Sequence, residues 1–393
     1  MRIAIVGAGI GGLLTAIALQ QRGLAAQVYD RAAELREIGA GLIIGSNAVR
    51  LLWCLGLGER FERVSFVQEA EGPLRRWQNG AVVAEKPIGR AAVRRYGYAT
   101  HGVCRADLQR LLLDALPPDR VHPGLRCEGL RDDGREAEVD LVDRSGGRHR
   151  VRADVVIGAD GLHSAVAARM HGEANRLNQA GQRAFRFLVP ARRAPEFARH
   201  SYTAWLGPGR HLVHYPIRRG EVVNFMAWLP GERDDPRPPG APVHARTLHA
   251  EFTGWHEDVH DLLAAAGDGS CWPIFHKDPL PGWTAGRVAL LGDAAHSMLP
   301  FLGQGVGQTA EDAVVLARCL AEGHVADVPA ALRRYEALRI DRATDVQLRS
   351  RERCYEFHLP DGPEQRARDA AYPLEVRQEA DLLYGHDPLG DPP

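Results

Sequence analysis

The chain has 393 residues, of which 45% are apolar and 25% charged, and its 49 Lys and Arg against 50 Asp and Glu give a net charge of −1. This composition is typical of a globular protein and excludes a disordered chain, a collagen-like chain and a membrane bundle. The balanced charge gives no sign of nucleic acid or anionic lipid as a partner. At about 150 residues per domain, the length predicts two or three domains.

The cysteine pattern indicates a reduced protein. Six cysteines are scattered, with no C-x-x-C pair and no Cys/His spacing that fits zinc. We therefore expect a cytoplasmic protein without a metal site. Residues 3–19 form an uncharged apolar run, but the run is shorter than the ~20 residues that span a bilayer and no cleavage segment follows it. The basic residues are almost all arginine, because Lys86 and Lys277 are the only lysines.

The chain opens with a β-α-β unit. RIAIV predicts a strand, GAGIGG a tight turn, LLTAIALQQRG a helix, and AAQVYD a second strand. The parallel strands of such a unit need a buried sheet. Two later apolar runs, at 153–161 and 286–296, each end in a turn of Gly and Asp. They predict two more buried strands that deliver a loop at their carboxyl ends.

The region 173–273 has a different pattern. The segments AFRFLV (184–189), HLVHYPI (211–217) and EVVNFMAWLP (221–230) alternate and are separated by turn residues, which predicts an antiparallel sheet. The proline-rich stretch 234–242 predicts a loop or linker. The chain becomes helical after residue 305, and the tail beyond 360, rich in Pro, Asp and Gly, is predicted to be irregular.

Together these segments predict an α/β fold in which a Rossmann-like domain is interrupted by a mostly antiparallel β-sheet substrate domain and followed by C-terminal helices. The expected division assigns residues 1–68, 98–172 and 274–344 to the Rossmann-like domain. The substrate domain takes residues 69–97 and 173–273, and residues 345–393 form a helical segment and tail.

The first motif that carries chemistry is Gly7-x-Gly9-x-x-Gly12, which follows a strand and opens a helix. Gly7 permits the tight turn, Gly9 lets the backbone approach a pyrophosphate, and Gly12 allows close packing of helix on strand. Phosphate oxygens would meet the free N–H groups at the helix start. Asp30, at the end of the second strand, is placed to bind a ribose. This motif alone leaves NAD, NADP and FAD open.

Further elements of the sequence distinguish FAD from the nicotinamide dinucleotides. Gly292-Asp293 puts a carboxylate at the end of a buried strand, and Asp160-Gly161 repeats that arrangement. A flavin's ribityl chain calls for such a carboxylate, whereas a nicotinamide dinucleotide does not. Gly303-Gln304-Gly305 then leads into a helix whose positive end suits a reduced, anionic flavin. The three elements in this order favour FAD.

With these motifs the sequence resembles the FAD-dependent aromatic hydroxylases that have the p-hydroxybenzoate hydroxylase fold, and it is most similar to the salicylate and 3-hydroxybenzoate hydroxylases. The matching segments, from residue 1 to about 372, are GxGxxG, REIGAGL (36–42), CRADLQRLL, GADGLHS (158–164), HLVHYP and GDAAHSMLPFLGQG followed by TAED. The family usually has glutamate at the position of Asp30, and GPN where this chain has Gly45-Ser46-Asn47.

The resemblance implies a set of cofactor-binding residues. Arg105 would contact the phosphate or ribityl region, Asp293 the ribityl hydroxyls, and Asp160 would support the cofactor loop. The predicted FAD site comprises Gly7, Gly9, Gly12, Asp30, Arg31, Gly41, Arg105, Asp160, Gly292, Asp293, Pro300, Gly303, Gly305 and Val306. NADH or NADPH would bind transiently, since the chain has no second dinucleotide fingerprint.

The substrate pocket is expected on the antiparallel sheet. A strand period of two puts His211, Val213 and Tyr215 on one face, and Leu212 and His214 on the other. Two polar groups beside an aliphatic one suit a mostly apolar pocket. In the resembling hydroxylases a His and a Tyr lie near the phenol at these positions. We therefore assign His211 as the base and Tyr215 as the orienting hydroxyl, while a structural role for both stays open.

Other candidates carry weaker signals. Gln304 matches a pocket glutamine of the family, so the predicted catalytic residues are His211, Tyr215 and Gln304. His296 is expected to fix its turn rather than act chemically. Arg186 could meet a substrate carboxylate, but we favour a buried structural cation. The aromatic side chains Trp205, Phe225 and Trp228 are expected in the core, with one or two of them touching substrate.

The resemblance implies hydroxylation of a phenolic or hydroxybenzoate-like small molecule with NAD(P)H and O₂, through a C4a-hydroperoxide of the reduced flavin. A histidine base suits this reaction, because its ordinary pKa of about 6.5 lies near working pH. The alternatives are the same chemistry on a heterocycle or alkene, by N-hydroxylation or epoxidation, and a non-catalytic flavin module. The substrate, the regiochemistry, the choice of NADH or NADPH, and a homodimeric state stay open.

Overall fold

The computed structural model describes residues 1–35, 40–231 and 237–390. Residues 36–39 of the segment REIGAGL and 234–236 of the proline-rich stretch lie outside the described residues. The strands are β1 (Ile3–Val6), β2 (Ala26–Asp30), β3 (Gly41–Ile44), β4 (Ser65–Val67), β5 (Gly72–Arg76), β6 (Val82–Lys86), β7 (His101–Cys104), β8 (Val121–Pro123), β9 (Arg126–Asp132), β10 (Ala137–Val142), β11 (Arg148–Ala153), β12 (Val155–Gly158), β13 (Leu177–Pro190), β14 (Thr203–Gly207), β15 (Arg210–Ile217), β16 (Val222–Pro230), β17 (Ala241–His244), β18 (Asp268–Lys277), β19 (Thr284–Ala285) and β20 (Val288–Leu290).

The α-helices are α1 (Ile10–Gln21), α2 (Ser46–Cys54), α3 (Gly58–Glu62), α4 (Arg90–Tyr96), α5 (Arg105–Leu113), α6 (Ala165–His171), α7 (Glu257–Ala265), α8 (Asp293–His296), α9 (Gly305–Glu322), α10 (Val328–Phe357) and α11 (Pro363–Tyr384).

A six-stranded sheet has the order β19-β20-β12-β1-β2-β8. Strand β1 lies between β12 and β2 and is parallel to both, and β12 is parallel to β20. Every residue of β1 and β12 is buried, as expected for parallel strands covered on both faces. The strands predicted from the opening unit and from the runs at 153–161 and 286–296 are confirmed. Their carboxyl ends lie at one edge of the sheet.

An eight-stranded sheet has the order β17-β18-β13-β16-β15-β14-β5-β6. Its pairs are antiparallel except β5 with β14. The predicted antiparallel sheet is therefore confirmed, and β5 and β6 from the region 69–97 extend it. In the register of β15 and β16, His211 pairs with Trp228.

Two smaller antiparallel sheets complete the strands. One has the order β11-β10-β9 and the other β3-β7-β4. In the second, Gly41 pairs with Cys104, and the backbone N–H of Arg105 donates to the Ala40 carbonyl at 2.8 Å. This pairing brings Gly41 and Arg105, which are distant in sequence, to one place.

The C-terminal helices correct one expectation. The prediction that the tail beyond residue 360 is irregular is wrong, because α11 covers residues 363–384. Pro363 stands in the first turn after Gly362, where a proline favours a helix start because its missing N–H has no partner there anyway. The buried side chains of Tyr372, Val376 and Leu383 then hold the helix in place. The expected domain boundary at 344–345 falls inside the continuous helix α10.

Across the described residues, none of the helices combines the length and the apolar character that crossing a bilayer requires.

Candidate active site

A cavity of about 510 Å³ is lined by residues of both large sheets and of the loops at their ends. This volume is within the range of small-molecule sites. The predicted site residues that line it are Gly9, Gly41, Arg105, His211, Tyr215, Gly292, Asp293, Pro300, Gly303, Gly305 and Val306. Gly7, Gly12, Asp30, Arg31, Asp160 and Gln304 do not line it.

The glycine turn after β1 has the predicted geometry. Gly7 has a φ of +110°, which side chains disfavour, and a Cβ on Gly12 would lie 1.9 Å from the carbonyl oxygen of Gly7. A Cβ on Gly9 would meet no atom within 4 Å. Gly7 and Gly12 are therefore required by the turn and the packing, whereas Gly9 faces open space in the cavity.

Asp30 braces this turn from the neighbouring strand. Its Oδ2 accepts a hydrogen bond from the N–H of Ala8 and its Oδ1 from the N–H of Ala32, both at 2.7 Å. An ionised carboxylate has about four acceptor sites, so this side chain retains capacity for a ribose hydroxyl. Arg31, the next residue, is exposed.

Asp160 supports the loop after β12. Its carboxylate accepts hydrogen bonds from the Ser164 hydroxyl at 2.5 Å and from the N–H of Ala165 at 2.7 Å. These bonds hold the start of α6 and leave Gly161 on the cavity wall. The side chain of Asp160 therefore shapes the loop.

The loop after β20 presents Asp293 to the cavity. Gly292 has a φ of +59°, and the exposed side chain of Asp293 lies on the cavity wall. Asp312 holds this turn, because its Oδ2 accepts from the N–H of Gly292 at 3.0 Å and bonds Nε2 of His296 at 2.6 Å. The expectation that His296 fixes the turn is confirmed.

A buried ion cluster behind this loop was missed by sequence reasoning. Arg339 of α10 contacts Glu311 at 2.6 Å and Asp312 at 2.9 Å, and all three are buried. Burial alone would raise the pKa of Asp312, but His296 and Arg339 lower that pKa to about 2. The acids of TAED are therefore structural, and no pattern near α9 indicated their partner on α10.

Gln304 lies behind the cavity wall. It is buried, and its Oε1 accepts a hydrogen bond from Nδ2 of Asn47 at 3.1 Å. We expected Gln304 in the substrate pocket, but in the structure its side chain turns away from the cavity toward Asn47 of α2. Helix α9 follows it without a side-chain cap, so the N–H groups of its first turn are open to a ligand.

These features fit FAD. The N-termini of α1 and α9 have no side-chain cap, and both begin beside the cavity. A Cβ at Gly9, Gly161 or Gly305 would meet no atom within 4 Å, so three loops leave room for a ligand to approach the backbone. Free N–H groups suit the pyrophosphate and the flavin ring, and the Asp293 carboxylate suits ribityl hydroxyls.

The β15 residues occupy the predicted faces. His211, Val213 and Tyr215 line the cavity, whereas Leu212 packs into the core cluster on the other face and His214 contacts Phe197 edge-to-face. The predicted alternation is therefore confirmed. It follows from the period of two in an extended strand.

His211 is held on several sides. Its ring stacks on Trp228 with 5.4 Å between centroids and 6° between planes, and Phe301 and Phe357 lie at 5.3 Å. Its Nδ1 lies 2.7 Å from Nε2 of His358. Burial, with smaller effects of His358 and Lys86, lowers the pKa of His211 well below 6.5. The ordinary histidine pKa assumed from sequence therefore does not apply, and His211 is neutral at pH 7.

Two tyrosines stack near this histidine. The rings of Tyr202 and Tyr215 are 6.1 Å apart and nearly parallel, and both residues line the cavity. Burial raises the pKa of each hydroxyl far above 10. Both hydroxyls therefore stay protonated and can donate a hydrogen bond. Tyr202 was not predicted.

Two cations share the cavity wall. Lys86 lies over the Tyr202 ring at 5.4 Å, and Arg186 over the Trp272 ring at 5.5 Å. In the part of the chain that the structure describes, neither forms an ion pair, and Nε of Arg186 has no hydrogen-bond partner. The expectation that Arg186 is a structural cation is therefore not supported, because a buried structural cation needs an acidic partner.

The sequence analysis gave Lys86 no role, although it is one of only two lysines in the chain and could have been singled out for that reason. Burial lowers the pKa of Lys86 to about 8, and Glu379 partly opposes this effect. Trp205 and Phe225 are in the core as expected, while Trp228 lines the cavity.

Comparison with known proteins gives consistent matches. The family described as FAD binding domain matches residues 1–350. The chain is 40% identical over 393 residues to 3-amino-4-hydroxybenzoate 2-monooxygenase PtnB3 of Streptomyces platensis, with 99% of this chain and 97% of that protein covered. It is 33% identical over 354 residues to 3-hydroxybenzoate 6-hydroxylase 1 of Aquipseudomonas alcaligenes, with 89% and 87% covered. A solved salicylate hydroxylase substrate complex superposes with a TM-score of 0.83 at 25% identity, with 99% and 96% covered.

The chain therefore belongs to the FAD binding domain family, and it is a flavoprotein. The matched proteins are named as monooxygenases and hydroxylases. The protein is accordingly an FAD-dependent aromatic monooxygenase, and the resemblance inferred from its motifs is confirmed. The comparisons support ring hydroxylation and not the alternatives of epoxidation, N-hydroxylation or a non-catalytic flavin module.

Proposed function

We propose that this monooxygenase hydroxylates a small aromatic ring that carries both a phenol hydroxyl and a carboxylate. The observation that carries the proposal is the pairing, on one cavity wall, of His211 and Tyr215 with the unpaired cations Lys86 and Arg186. The relatives named for 3-amino-4-hydroxybenzoate and 3-hydroxybenzoate act on rings of this class.

The phenol hydroxyl would lie against His211 and Tyr215. Because Nδ1 of His211 is bonded to His358, Nε2 is the ring nitrogen left to accept the phenol proton. Tyr215 remains protonated and donates a hydrogen bond to the phenolate oxygen. A positioned base contributes roughly 10²–10⁴ in rate when its pKa lies near the working pH, and the negative charge of a phenolate beside His211 would raise its lowered pKa toward that range.

The carboxylate would lie against Lys86 or Arg186. Both cations are half-buried on the cavity wall. A cation that loses part of its hydration without gaining an acidic partner is costly, and a substrate carboxylate would supply that partner. Arg186 can bind a carboxylate with two parallel hydrogen bonds, whereas Lys86 offers a compact charge beside His211. Both would orient the ring by its anionic group.

The apolar part of the cavity wall would exclude water from the substrate ring. Trp228, Phe301 and Phe357 surround His211 with apolar surface, which excludes water and strengthens every charge interaction inside. When bound, FAD accepts hydride from NADH or NADPH and delivers one oxygen atom of O₂ to the ring. The free thiols of all six cysteines support a reducing, cytoplasmic location.

The proposal is tested with FAD-loaded enzyme and a panel of 3-amino-4-hydroxybenzoate, 3-hydroxybenzoate, salicylate and the corresponding phenols without a carboxylate. The measurements are NADH and NADPH oxidation, O₂ consumption and product mass. We expect ring-hydroxylated product only from the hydroxybenzoates. Equal turnover of the phenols without a carboxylate would contradict the proposed substrate class.

A matched pair of variants tests the base. His211→Gln should slow product formation by roughly 10²-fold, with NAD(P)H oxidation diverted to H₂O₂, whereas His214→Gln on the opposite face of β15 should keep its coupling. Fully coupled hydroxylation by His211→Gln would remove this residue from the mechanism.

A further inference from the structure

We propose that Tyr384, the last residue of the C-terminal helix α11, is a specificity-determining residue that closes one end of the substrate cavity and limits the substrate to a single aromatic ring. This role rests on the proposed function and deepens it, because it sets the size of the molecule whose phenol meets His211 and whose carboxylate meets Lys86.

The order of the eight-stranded sheet gives the cavity a direction. From β15, which carries His211 and Tyr215, the strands β14, β5 and β6 follow in turn to one edge of the sheet. Tyr202, directly before β14, stacks on Tyr215 at 6.1 Å between centroids, and the ammonium of Lys86 on β6 lies 5.4 Å from the Tyr202 ring. Arg186 on β13 lies on the other side of β15. A substrate that reaches from His211 to Lys86 therefore points toward the edge strand β6.

Helix α11 covers that edge. It packs against β6, and Tyr384 lines the same cavity as Lys86 and is 5% exposed. Tyr202, Tyr215 and Tyr384 belong to one apolar cluster. Burial raises the pKa of the Tyr384 hydroxyl well above 10, so the side chain stays uncharged. The cavity therefore ends at β6 on a neutral aromatic ring.

The ring of Tyr384 is held in place by two other elements. A Cβ on Gly45 would lie 2.7 Å from Cε1 of Tyr384, so the ring packs directly on the backbone at the start of α2. Tyr96 of α4 meets the ring edge-to-face at 5.7 Å between centroids. One turn earlier on α11, Asp381 accepts hydrogen bonds from the Tyr96 hydroxyl at 2.7 Å and from Nη2 of Arg95 at 2.6 Å. A longer substrate would therefore meet a fixed wall.

The end of α11 is also tied to the cofactor half of the site. Arg342 of α10 donates to the carbonyls of Leu382 at 2.9 Å and Leu383 at 3.2 Å. These carbonyls belong to the last turn of α11, which has no partners within the helix and favours a cation. The same guanidinium donates to Glu311 of α9 at 2.8 Å. The ion cluster that braces the loop after β20 therefore also holds the position of Tyr384.

This wall limits length and does not seal the cavity. The cavity is open to solvent elsewhere, because the side chain of Asp293 on its wall is exposed. A second ring that extends past Lys86 would have to occupy the volume of the Tyr384 ring. Deleting a buried side chain leaves a void that the surroundings fill only partly, and apolar voids of this kind take up aromatic groups. Removal of the Tyr384 ring should therefore admit the second ring.

The test compares two ligands that carry a hydroxyl and a carboxylate at opposite ends. One is 4-hydroxybenzoate, with one ring, and the other is 6-hydroxy-2-naphthoate, with two fused rings. Binding to oxidised, FAD-loaded enzyme is followed by perturbation of the flavin spectrum. The wild type should bind 4-hydroxybenzoate more tightly by roughly 10-fold or more, because the second ring overfills the cavity. Equal affinities would overturn the size limit and leave the proposed function standing. A wild type that binds neither ligand would contradict the proposed function, and the size limit with it.

Two variants of Tyr384 separate the ring from the hydroxyl. Tyr384→Ala should bind 6-hydroxy-2-naphthoate roughly 10- to 100-fold more tightly than the wild type, because the second ring becomes buried in the vacated volume. Tyr384→Phe retains the ring and should retain the preference for one ring. An unchanged preference in Tyr384→Ala, or a lost preference in Tyr384→Phe, would overturn the assignment. If Tyr384→Ala does not fold, Tyr384→Leu gives the same test with a smaller gain.

A matched control separates the wall from general loosening of α11. Tyr372, earlier on the same helix, is fully buried but does not line the cavity, and its ring packs between Arg353 at 4.9 Å and Arg368 at 5.0 Å. Tyr372→Ala therefore opens a comparable void away from the substrate. We expect the wild-type preference for one ring in this variant. A gain in naphthoate affinity equal to that of Tyr384→Ala would overturn the role of Tyr384.

Discussion

The carboxylate of Asp30 accepts a hydrogen bond from the backbone N–H of Ala8, with 2.7 Å between Oδ2 and the nitrogen. The contact joins the end of β2 to the glycine turn after β1, which are the two elements that would hold the adenosine half of FAD. The shorter acid in place of the family's glutamate therefore has a defined structural role in this chain.

The first prediction concerns this contact. Asp30→Ala should weaken FAD binding by roughly 10- to 100-fold, because a charged hydrogen-bond partner of the turn is worth about 1.5–3 kcal/mol and a ribose acceptor is lost with it. The measurement is a titration of apoprotein with FAD by quenching of flavin fluorescence. Asp30→Asn, which retains an oxygen for Ala8, should lose less. Wild-type affinity in Asp30→Ala would show that the contact is dispensable.

A matched pair of glycine variants separates folding from cofactor binding. Gly12→Ala should destabilise the fold, because the new Cβ would lie 1.9 Å from the Gly7 carbonyl oxygen. Gly9→Ala should fold normally, since its Cβ meets no atom within 4 Å, but should lose FAD because the methyl group occupies space intended for the pyrophosphate. Thermal unfolding of the apoproteins and flavin content after gel filtration check both. A Gly9→Ala enzyme that retains its yellow colour would contradict the assignment.

The pKa of Lys86 predicts a pH dependence for substrate binding. Lys86 has a pKa of about 8 in the free protein, and only its charged form attracts a carboxylate. Affinity for 4-methoxybenzoate, which has no phenol, should therefore fall above pH 8, by up to about tenfold per pH unit. Arg186 keeps its charge in this range, and Tyr202 and Tyr215 stay protonated because burial raises their pKa values.

Two variants of Lys86 serve as controls, with ligand binding followed by perturbation of the flavin spectrum. Lys86→Arg should bind with a flat pH profile, and Lys86→Met should bind weakly at every pH. The same decline above pH 8 in Lys86→Met would mean that another group is responsible.

Buried neutral histidines predict a loss of stability in acid. His101 is 3% exposed, its Nδ1 lies 2.8 Å from the Ser65 hydroxyl, and burial lowers its pKa to about 4. The unfolded chain, with a histidine pKa near 6.5, binds more protons between pH 6.5 and 4, so stability falls as the pH drops through that window. His101 alone contributes roughly 3 kcal/mol of this loss.

This is checked by urea unfolding at pH 7.5, 6 and 5. His101→Gln should unfold with a shallower dependence on pH than the wild type. His211, His214 and His358 act in the same direction, since burial lowers the pKa of each. An unchanged slope in His101→Gln would remove His101 as a contributor.

The cofactor half of the site could be predicted because it is encoded locally. Gly7, Gly9 and Gly12 define a turn within six residues, and Asp30 follows at the end of the next strand. The loops at Asp160 and Asp293 can likewise be predicted, because each follows a short apolar run that ends in a pair of Gly and Asp. The alternation of His211, Val213 and Tyr215 also needs only the period of one strand. The prediction of an irregular tail was wrong because it rested on the overall Pro, Asp and Gly content, whereas Pro363 stands at a helix start, where proline is tolerated.

The amino-acid sequence by itself determined the class of fold, the flavin and the face of β15 that lines the cavity, because backbone turns and strand faces depend on neighbours a few residues away. Only the tertiary structure decided which distant side chains meet at the site: Lys86 from β6 and Arg186 from β13 line the cavity. His358, from the end of α10, lies behind the wall against His211, which is 147 residues earlier in the chain. Such contacts arise from the packing of distant elements on a common core, and no spacing along the chain encodes them.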